Sequence, residues 1–252
     1  MVKLVKLDPE AHGSLTLGDR ISDYAASQHM FPVRVTEIAQ AISTFPVLIS
    51  RVQDVGELSV SILCSFVPGS NLFVSDGEWQ SSFQPLAMSS APFYLIPDPD
   101  DPKTPVMAID EDSALLGKKD GAAIFDKKGK LPLALKQLET RLNDDISHQI
   151  LTRDFLQTVD QLGLLNPVDV VLNYQDGSNN RIRGLNMIHE SKLQSLEGDQ
   201  YQALRTKGFL PPLYAMLFSV FQLNNLIRLH NAQGHNPISK INLEVTHLDR
   251  PI

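Results

Sequence analysis

Three neighbouring acidic residues are the densest group in this chain that could carry chemistry. Asp110, Glu111 and Asp112 follow the apolar segment PVMAI. Carboxylates grouped in this way could bind a divalent cation, or two of them could act as an acid/base pair. The same side chains could instead cap the turn that follows, and this is the interpretation we favour. We keep the cluster as a candidate ligand-binding site and predict no catalytic residue and no metal ligand.

His189 is the second candidate, because an imidazole can titrate near neutral pH. It follows an apolar segment and precedes Glu190-Ser191, which is typical of a helix start. A capping or surface role is therefore the favoured alternative. His230 and His235 lie at a helix end with poor spacing for a shared ligand.

Trp79 is the only tryptophan of the chain and follows the turn signal Asp76-Gly77. If these two residues form a hairpin turn, Ser75 pairs with Glu78 and Val74 pairs with Trp79. Side chains alternate along strands, so one face is predicted to hold the following residues: Leu72, Val74, Trp79, Ser81 and Phe83. This face is the more apolar one. Trp79 is predicted to be a core residue with its indole N–H near the edge, and a ligand contact is the alternative.

The sequence lacks the common motifs of phosphate-binding loops and of serine nucleophiles. The glycines form no phosphate-binding loop, and there is no nucleophile elbow of the form GxSxG. The single cysteine, Cys64, lies in the apolar run LSVSILCSFV and is predicted to be a core residue rather than a nucleophile. One cysteine excludes an internal disulfide and a zinc site built of cysteines. We therefore predict no cofactor.

Composition narrows the class of protein further. The 252 residues carry a net charge of −7, which argues against a broad nucleic-acid surface. MVKLVKLDPEAHG lacks the apolar segment of a secretory signal, and no apolar run approaches the roughly 20 residues of a membrane span. We expect a cytoplasmic protein that neither binds nucleic acid nor spans a membrane.

The elements that position these residues indicate an α+β fold. Residues 31–126 are rich in short β segments, including a hairpin around Gly56, and predict a mostly antiparallel sheet. From 131 to 163 the apolar residues recur at helical spacing, with a break at Asn143-Asp144-Asp145. A second hairpin surrounds QDGSNN. An apolar helix then runs from Leu213 to about His230 and should lie buried in the domain or against a partner.

The C-terminal residues alternate apolar and polar side chains, which predicts a strand. We predict one domain over residues 1–232 and an extension over 233–252. The extension is an edge strand of the parent sheet or, alternatively, a partner-docking arm or a disordered segment.

Ordered short segments along the chain resemble the bacterial SapC family, named after a protein tied to surface-layer function. The resemblance covers about residues 5–230 and is carried by LDPEAHGSL (7–15), FPV (45–47), NLFV and GEW (71–79), PF (92–93), ID (109–110), IFDKKG (124–129), Thr152, Phe155, LLNP (164–167), GLNMIHESKLQSL (184–196) and Gly208 before LPPLYAMLFSV. At His189 the chain departs from the family pattern, where relatives tend to have Asp.

The resemblance implies an accessory role. Relatives are often encoded beside halogenase-like and cupin-like proteins and TonB-dependent receptors, which suggests a part in peptide or protein modification or in nutrient uptake. We therefore expect a non-catalytic cytoplasmic accessory protein that binds a protein or peptide partner. The alternatives are an enzyme with a site at Asp110–Asp112 lined by Trp79 or His189, and a structural component of a surface layer.

Overall fold

The computed structural model describes residues 3–18, 21–51, 56–234 and 236–246. His235 and residues 247–252 of the predicted extension lie outside the described residues. The strands are β1 (Leu4–Lys6), β2 (Thr16–Leu17), β3 (Met30–Pro32), β4 (Val47–Arg51), β5 (Leu58–Leu63), β6 (Val74–Ser75), β7 (Glu78–Trp79), β8 (Phe93–Pro97), β9 (Pro105–Asp110), β10 (Ala122–Ala123), β11 (Leu165–Tyr174), β12 (Asn179–Ile188) and β13 (Ile238–Val245). The helices are α1 (Pro9–His12), α2 (Ile21–Ala26), α3 (Ile38–Ala41), α4 (Leu86–Ser89), α5 (Leu133–Asp144), α6 (Ile146–Gln161), α7 (Glu190–Gln194), α8 (Gly198–Thr206), α9 (Leu210–Ser219) and α10 (Leu223–Ala232), with 3₁₀ turns at Val35–Glu37 and Val220–Gln222.

The largest sheet contains six strands in the order β13-β11-β12-β4-β5-β3. Every pairing within it is antiparallel. Alternate residues of β11 point into the main core, which is why Val168, Val170 and Leu172 are buried together there. The predicted α+β class, with an antiparallel sheet packed against helices from the second half of the chain, is confirmed.

The strands predicted within residues 31–126 do not all join this sheet. β9 pairs with β8 on one side and with β1 on the other in a separate three-stranded sheet. Phe93 and Ile109 of that sheet are buried with Leu135 and Leu142 of α5 in a second apolar cluster. The helical stripe of α5 thus covers the apolar side of a small sheet rather than that of the large one.

The predicted helix break falls at Asp145, between α5 and α6. The carboxylate of Asp145 is buried, and its Oδ2 accepts a hydrogen bond from Nε of Arg34 over 2.8 Å and forms an ion pair with Nη2 of the same guanidinium at 2.8 Å. Gln149 Nε2 donates to the same oxygen over 3.2 Å. An unpaired buried charge is costly, so the carboxylate of Asp145 must keep its partner Arg34. The pair therefore holds the break between α5 and α6 against the segment that precedes α3.

The tryptophan hairpin has the predicted register, with Val74 opposite Trp79 and Ser75 opposite Glu78. Asp76 and Gly77 both adopt positive φ, 52° and 75°, as a two-residue turn of this kind requires. Phe73, which alternation places on the opposite face of the hairpin from Trp79, is also buried, because it packs against Phe45 with ring centroids 4.4 Å apart.

The alternating residues near the C-terminus form β13, an edge strand antiparallel to β11. Val245 lies opposite Val168, and Leu243 lies opposite Val170. On the other side of the strand, Glu244 Oε2 accepts from Arg181 Nη2 over 2.7 Å. The division into a domain of residues 1–232 and an extension of residues 233–252 stays a prediction.

Candidate binding surface

Trp79 lies in a cluster of aromatic side chains. Its ring stacks on Phe45 with centroids 5.8 Å apart and meets Phe31 edge-on at 6.4 Å. Its indole Nε1 donates to the backbone oxygen of Phe83 over 2.9 Å. Aromatic packing and a satisfied N–H are what a partly buried tryptophan needs to stabilise a core. The contacts of Trp79 are therefore those of a core residue.

The acidic cluster is engaged in surface contacts. Glu111 Oε2 accepts from Lys3 Nζ over 2.6 Å, and its Oε1 lies 3.2 Å from Nε2 of the buried His12. These hydrogen bonds, the one from Lys3 first, lower the pKa of Glu111. Asp110 Oδ1 accepts from the backbone N–H of Asp112. Glu111 thus ties Lys3 and His12 to the end of β9.

Two tyrosines lie between the acidic cluster and the tryptophan. The hydroxyls of Tyr24 and Tyr94 share a hydrogen bond, and Tyr24 packs against Phe31 with ring centroids 6.1 Å apart. Burial raises the pKa of both hydroxyls, and the negative charge of Asp110 raises it further. Asp110 and Trp79 are therefore linked indirectly, through the hydroxyls of the two tyrosines and then the rings of Tyr24 and Phe31.

His189 is the N-cap of α7, where its Nδ1 accepts from the backbone N–H of Lys192 over 3.4 Å. Its own backbone N–H donates to Leu164 over 2.8 Å. These partners belong to different elements from those of Trp79 and the acidic cluster. Among the described residues, no group of three or more His, Cys, Asp or Glu side chains is placed to hold a metal ion. As a ligand-binding set the five residues stay a prediction.

Other residues that carry the family resemblance hold the backbone in place. Asn71 is buried, donates through Nδ2 to the carbonyls of Ala25 and Gln28, and accepts from the N–H of Phe73. The buried Thr152 accepts at Oγ1 from the N–H of Val35 over 3.0 Å. Backbone groups buried away from water need such partners. The tasks of these two side chains are structural.

One cleft of about 310 Å³ lies between β5 and α6. Its walls include charges of both signs, from Arg34, Glu57, Arg153 and Asp160. The guanidinium of Arg34 is already bound to the buried Asp145. None of the five predicted site residues lines this cleft.

The apolar helix after Gly208 was predicted to lie buried in the domain or against a partner. In the structure one side of α9 and of the 3₁₀ turn after it is uncovered. Between Lys207 and Arg228 the sequence contains no charged residue. One side of this segment is buried in the main core through Leu213, Met216 and Leu223. On the opposite side Phe218 and Phe221 are 65% and 73% exposed, and Tyr214 is also exposed. We call Tyr214, Phe218 and Phe221 the aromatic face.

Contacts on the buried side hold α9 and the following 3₁₀ turn in place. On the buried side Ser219 Oγ accepts from the N–H of Val47 over 2.9 Å. Gln222 Nε2 donates to the carbonyls of Ile42 and Ser43 over 3.2 and 3.1 Å. Because these bonds and the core contacts fix the segment from beneath, the aromatic side chains project from a rigid support.

The comparisons with known proteins give the family. The family model for SapC matches residues 7–226, most of the chain, so this protein belongs to the SapC family. No curated protein and no solved structure shows a significant match. In the part of the chain that the structure describes, no helix combines the length and the apolar character needed to cross a membrane. The aromatic face lies inside the matched region.

Proposed function

We propose that this SapC-family protein is a non-catalytic accessory protein that binds a protein partner through the aromatic face. The observation that carries the proposal is the exposure of two phenylalanines in a segment without charges, Phe218 in the last turn of α9 and Phe221 in the 3₁₀ turn that follows. Scattered single apolar residues on a surface are ordinary, but large apolar side chains that adjoin one another mark interaction sites. Aromatic residues are also enriched among those that dominate binding energy.

The spacing of the aromatic face suggests the shape of the partner. Tyr214, Phe218 and Phe221 stand at positions i, i+4 and i+7, the spacing with which a helix presents anchors to an apolar groove. Nearby, the exposed Asn224 supplies a neutral amide that can hydrogen-bond at the rim of an interface. The partner that fits is therefore a protein with an apolar groove and a polar, uncharged border.

A membrane surface fits this face less well. Helices that lie in a membrane interface carry Lys and Arg on the side next to the apolar one. Here the side opposite the aromatic face is buried in the core, and the chain has a net charge of −7, which repels anionic lipids. The proposal includes the cytoplasmic location expected from the sequence, which fractionation of host cells tests.

The experiment compares three tagged proteins in pull-downs from the native host. They are the wild type, the double variant Phe218→Ser/Phe221→Ser, and Ile150→Ser, which removes an apolar side chain that is 64% exposed on α6. We expect a partner that the wild type and Ile150→Ser retain and that the double variant loses. The halogenase-like and cupin-like proteins expected from the family resemblance are the first purified candidates to test.

The captured protein is then titrated against each variant by calorimetry. Truncating a central aromatic anchor costs about 2 kcal/mol of binding free energy, or roughly thirtyfold in Kd. Equal affinity of the wild type and the double variant would contradict the proposal. Binding of the wild type to vesicles of anionic lipid, abolished in the double variant, would assign the face to a membrane instead.

A further inference from the structure

The outer edge of β13 carries backbone groups that point away from the sheet. The N–H of Thr246 donates to the carbonyl of Pro167 over 2.9 Å, so these two residues form a hydrogen-bonded pair. Hydrogen-bonded and non-hydrogen-bonded pairs alternate along an antiparallel ladder, and the register between β13 and β11 is regular from Val168 to Asn173. It follows that Ile241, Leu243 and Val245 direct their N–H and C=O groups outward.

The apolar side of the sheet continues onto this edge, where the part of the chain that the structure describes leaves it partly exposed. Val168 and Val170 of β11 are buried, whereas their partners on β13, Val245 and Leu243, are 52% and 38% exposed. An edge that combines outward backbone groups with exposed apolar side chains is a template for another strand.

The polar side of β13 determines which strand fits. Lys240, Asn242 and Glu244 are alternate residues of β13, so their side chains share the side of the strand that faces away from the core. Glu244 is bound by Arg181, and Lys240 has no ion-pair partner among the described residues. A strand running antiparallel to β13 therefore fits best when it offers an acid opposite Lys240 and a base opposite Glu244.

We propose that this strand is β13 of a second copy of the chain, paired antiparallel around a two-fold axis at Asn242. In this register Lys240 lies opposite Glu244 of the second copy, and Glu244 lies opposite its Lys240. Ile241 and Leu243 of each chain then form hydrogen-bonded pairs across the interface, as their outward backbone groups require. Registers centred on Ile241 or Leu243 also allow the backbone hydrogen bonds, but they place neither Lys240 nor Glu244 opposite a residue of the other charge.

A cysteine at the two-fold axis tests this register. Across a non-hydrogen-bonded antiparallel pair the Cα atoms lie about 4.5 Å apart, within the range that a disulfide can bridge. Asn242→Cys is expected to form a covalent dimer under mild oxidation of the full chain. Lys240→Cys is the matched control, because in this register the two cysteines stand about 13 Å apart along the strands. The native thiol of Cys64 is buried and does not compete.

Charge exchange tests the pairing by a second route. Sedimentation velocity over a concentration series should show a dimer for the wild type and weaker association for Lys240→Glu. The double variant Lys240→Glu/Glu244→Lys should regain part of the association, since the charges across the axis are again opposite while the new lysine lies beside Arg181. A wild type that stays monomeric throughout, or cross-linking of Asn242→Cys no greater than that of Lys240→Cys, would overturn the proposal. Urea unfolding of each variant separates loss of association from loss of the fold.

Discussion

Replacing Trp79 by alanine tests whether this tryptophan belongs to the core, as its contacts indicate. The change removes the ring that stacks on Phe45 and the hydrogen bond to the carbonyl of Phe83. Truncating a buried tryptophan costs about 3–5 kcal/mol. Because Trp79 is only partly buried, we expect the lower end, about 3 kcal/mol. Trp79→Phe keeps most of the packing, loses the hydrogen bond, and should cost about 1 kcal/mol.

Urea unfolding followed by far-ultraviolet circular dichroism measures both effects, since the variants lack the native fluorophore. For a chain of this size the dependence of the free energy of unfolding on urea is about 3 kcal/mol per molar. The midpoint should therefore fall by about 1 M in Trp79→Ala and by about 0.3 M in Trp79→Phe.

The alternative role makes the opposite prediction. If Trp79 is a ligand contact, Trp79→Ala unfolds at nearly the wild-type urea concentration and loses binding to the captured partner. That result would refute the core assignment. A large loss of stability in Trp79→Ala, with partner binding retained by the folded fraction of Trp79→Phe, would uphold it.

Three further predictions concern the buried residues Asp145 and Cys64 and the turn residue Asp126. Asp145→Ala removes the buried carboxylate that pairs with the partly exposed guanidinium of Arg34 and should lower the free energy of unfolding by about 2 kcal/mol in urea, whereas Asp144→Ala, at an exposed position, should change it by less than about 0.5 kcal/mol. Burial raises the pKa of the Cys64 thiol, so it should stay unlabelled by a thiol reagent in the native protein and react fully in urea. The backbone N–H of Lys130, first among several contacts, lowers the pKa of Asp126 below its ordinary 3.8. The stability that this carboxylate adds is present above pH 4 and lost as the pH falls through its folded pKa, so the advantage of wild type over Asp126→Asn in urea midpoints should shrink in acid.

Local features of the fold could be predicted from the sequence because their signals are local. Asp76-Gly77 fixed both the turn and the pairing of Val74 with Trp79, since only certain residues adopt positive φ at both positions. The run Asn143–Asp145 likewise marked the end of one helix and the start of the next.

Features that join distant segments could not be predicted. The bond between Arg34 and Asp145 spans 111 positions, and neither residue carries a local signal of the other. Whether β8 and β9 join the main core or form a second one depends on which sheet α5 packs against. The spacing of apolar residues along α5 does not encode that choice. For the helix after Gly208, the spacing showed apolar residues on most of its surface. It did not show that Phe218 and Phe221 would remain uncovered.

The central claim, that the aromatic face binds a protein, is tested most directly by photo-cross-linking in the native host. A benzoylphenylalanine in place of Phe218 keeps an aromatic side chain at the centre of the face, and the same group in place of Ile150 serves as the exposed control. We predict one discrete cross-linked protein from position 218 that is absent from position 150 and is lost when Phe221→Ser is added. Cross-links of the same pattern from both positions, or none from position 218, would contradict the account.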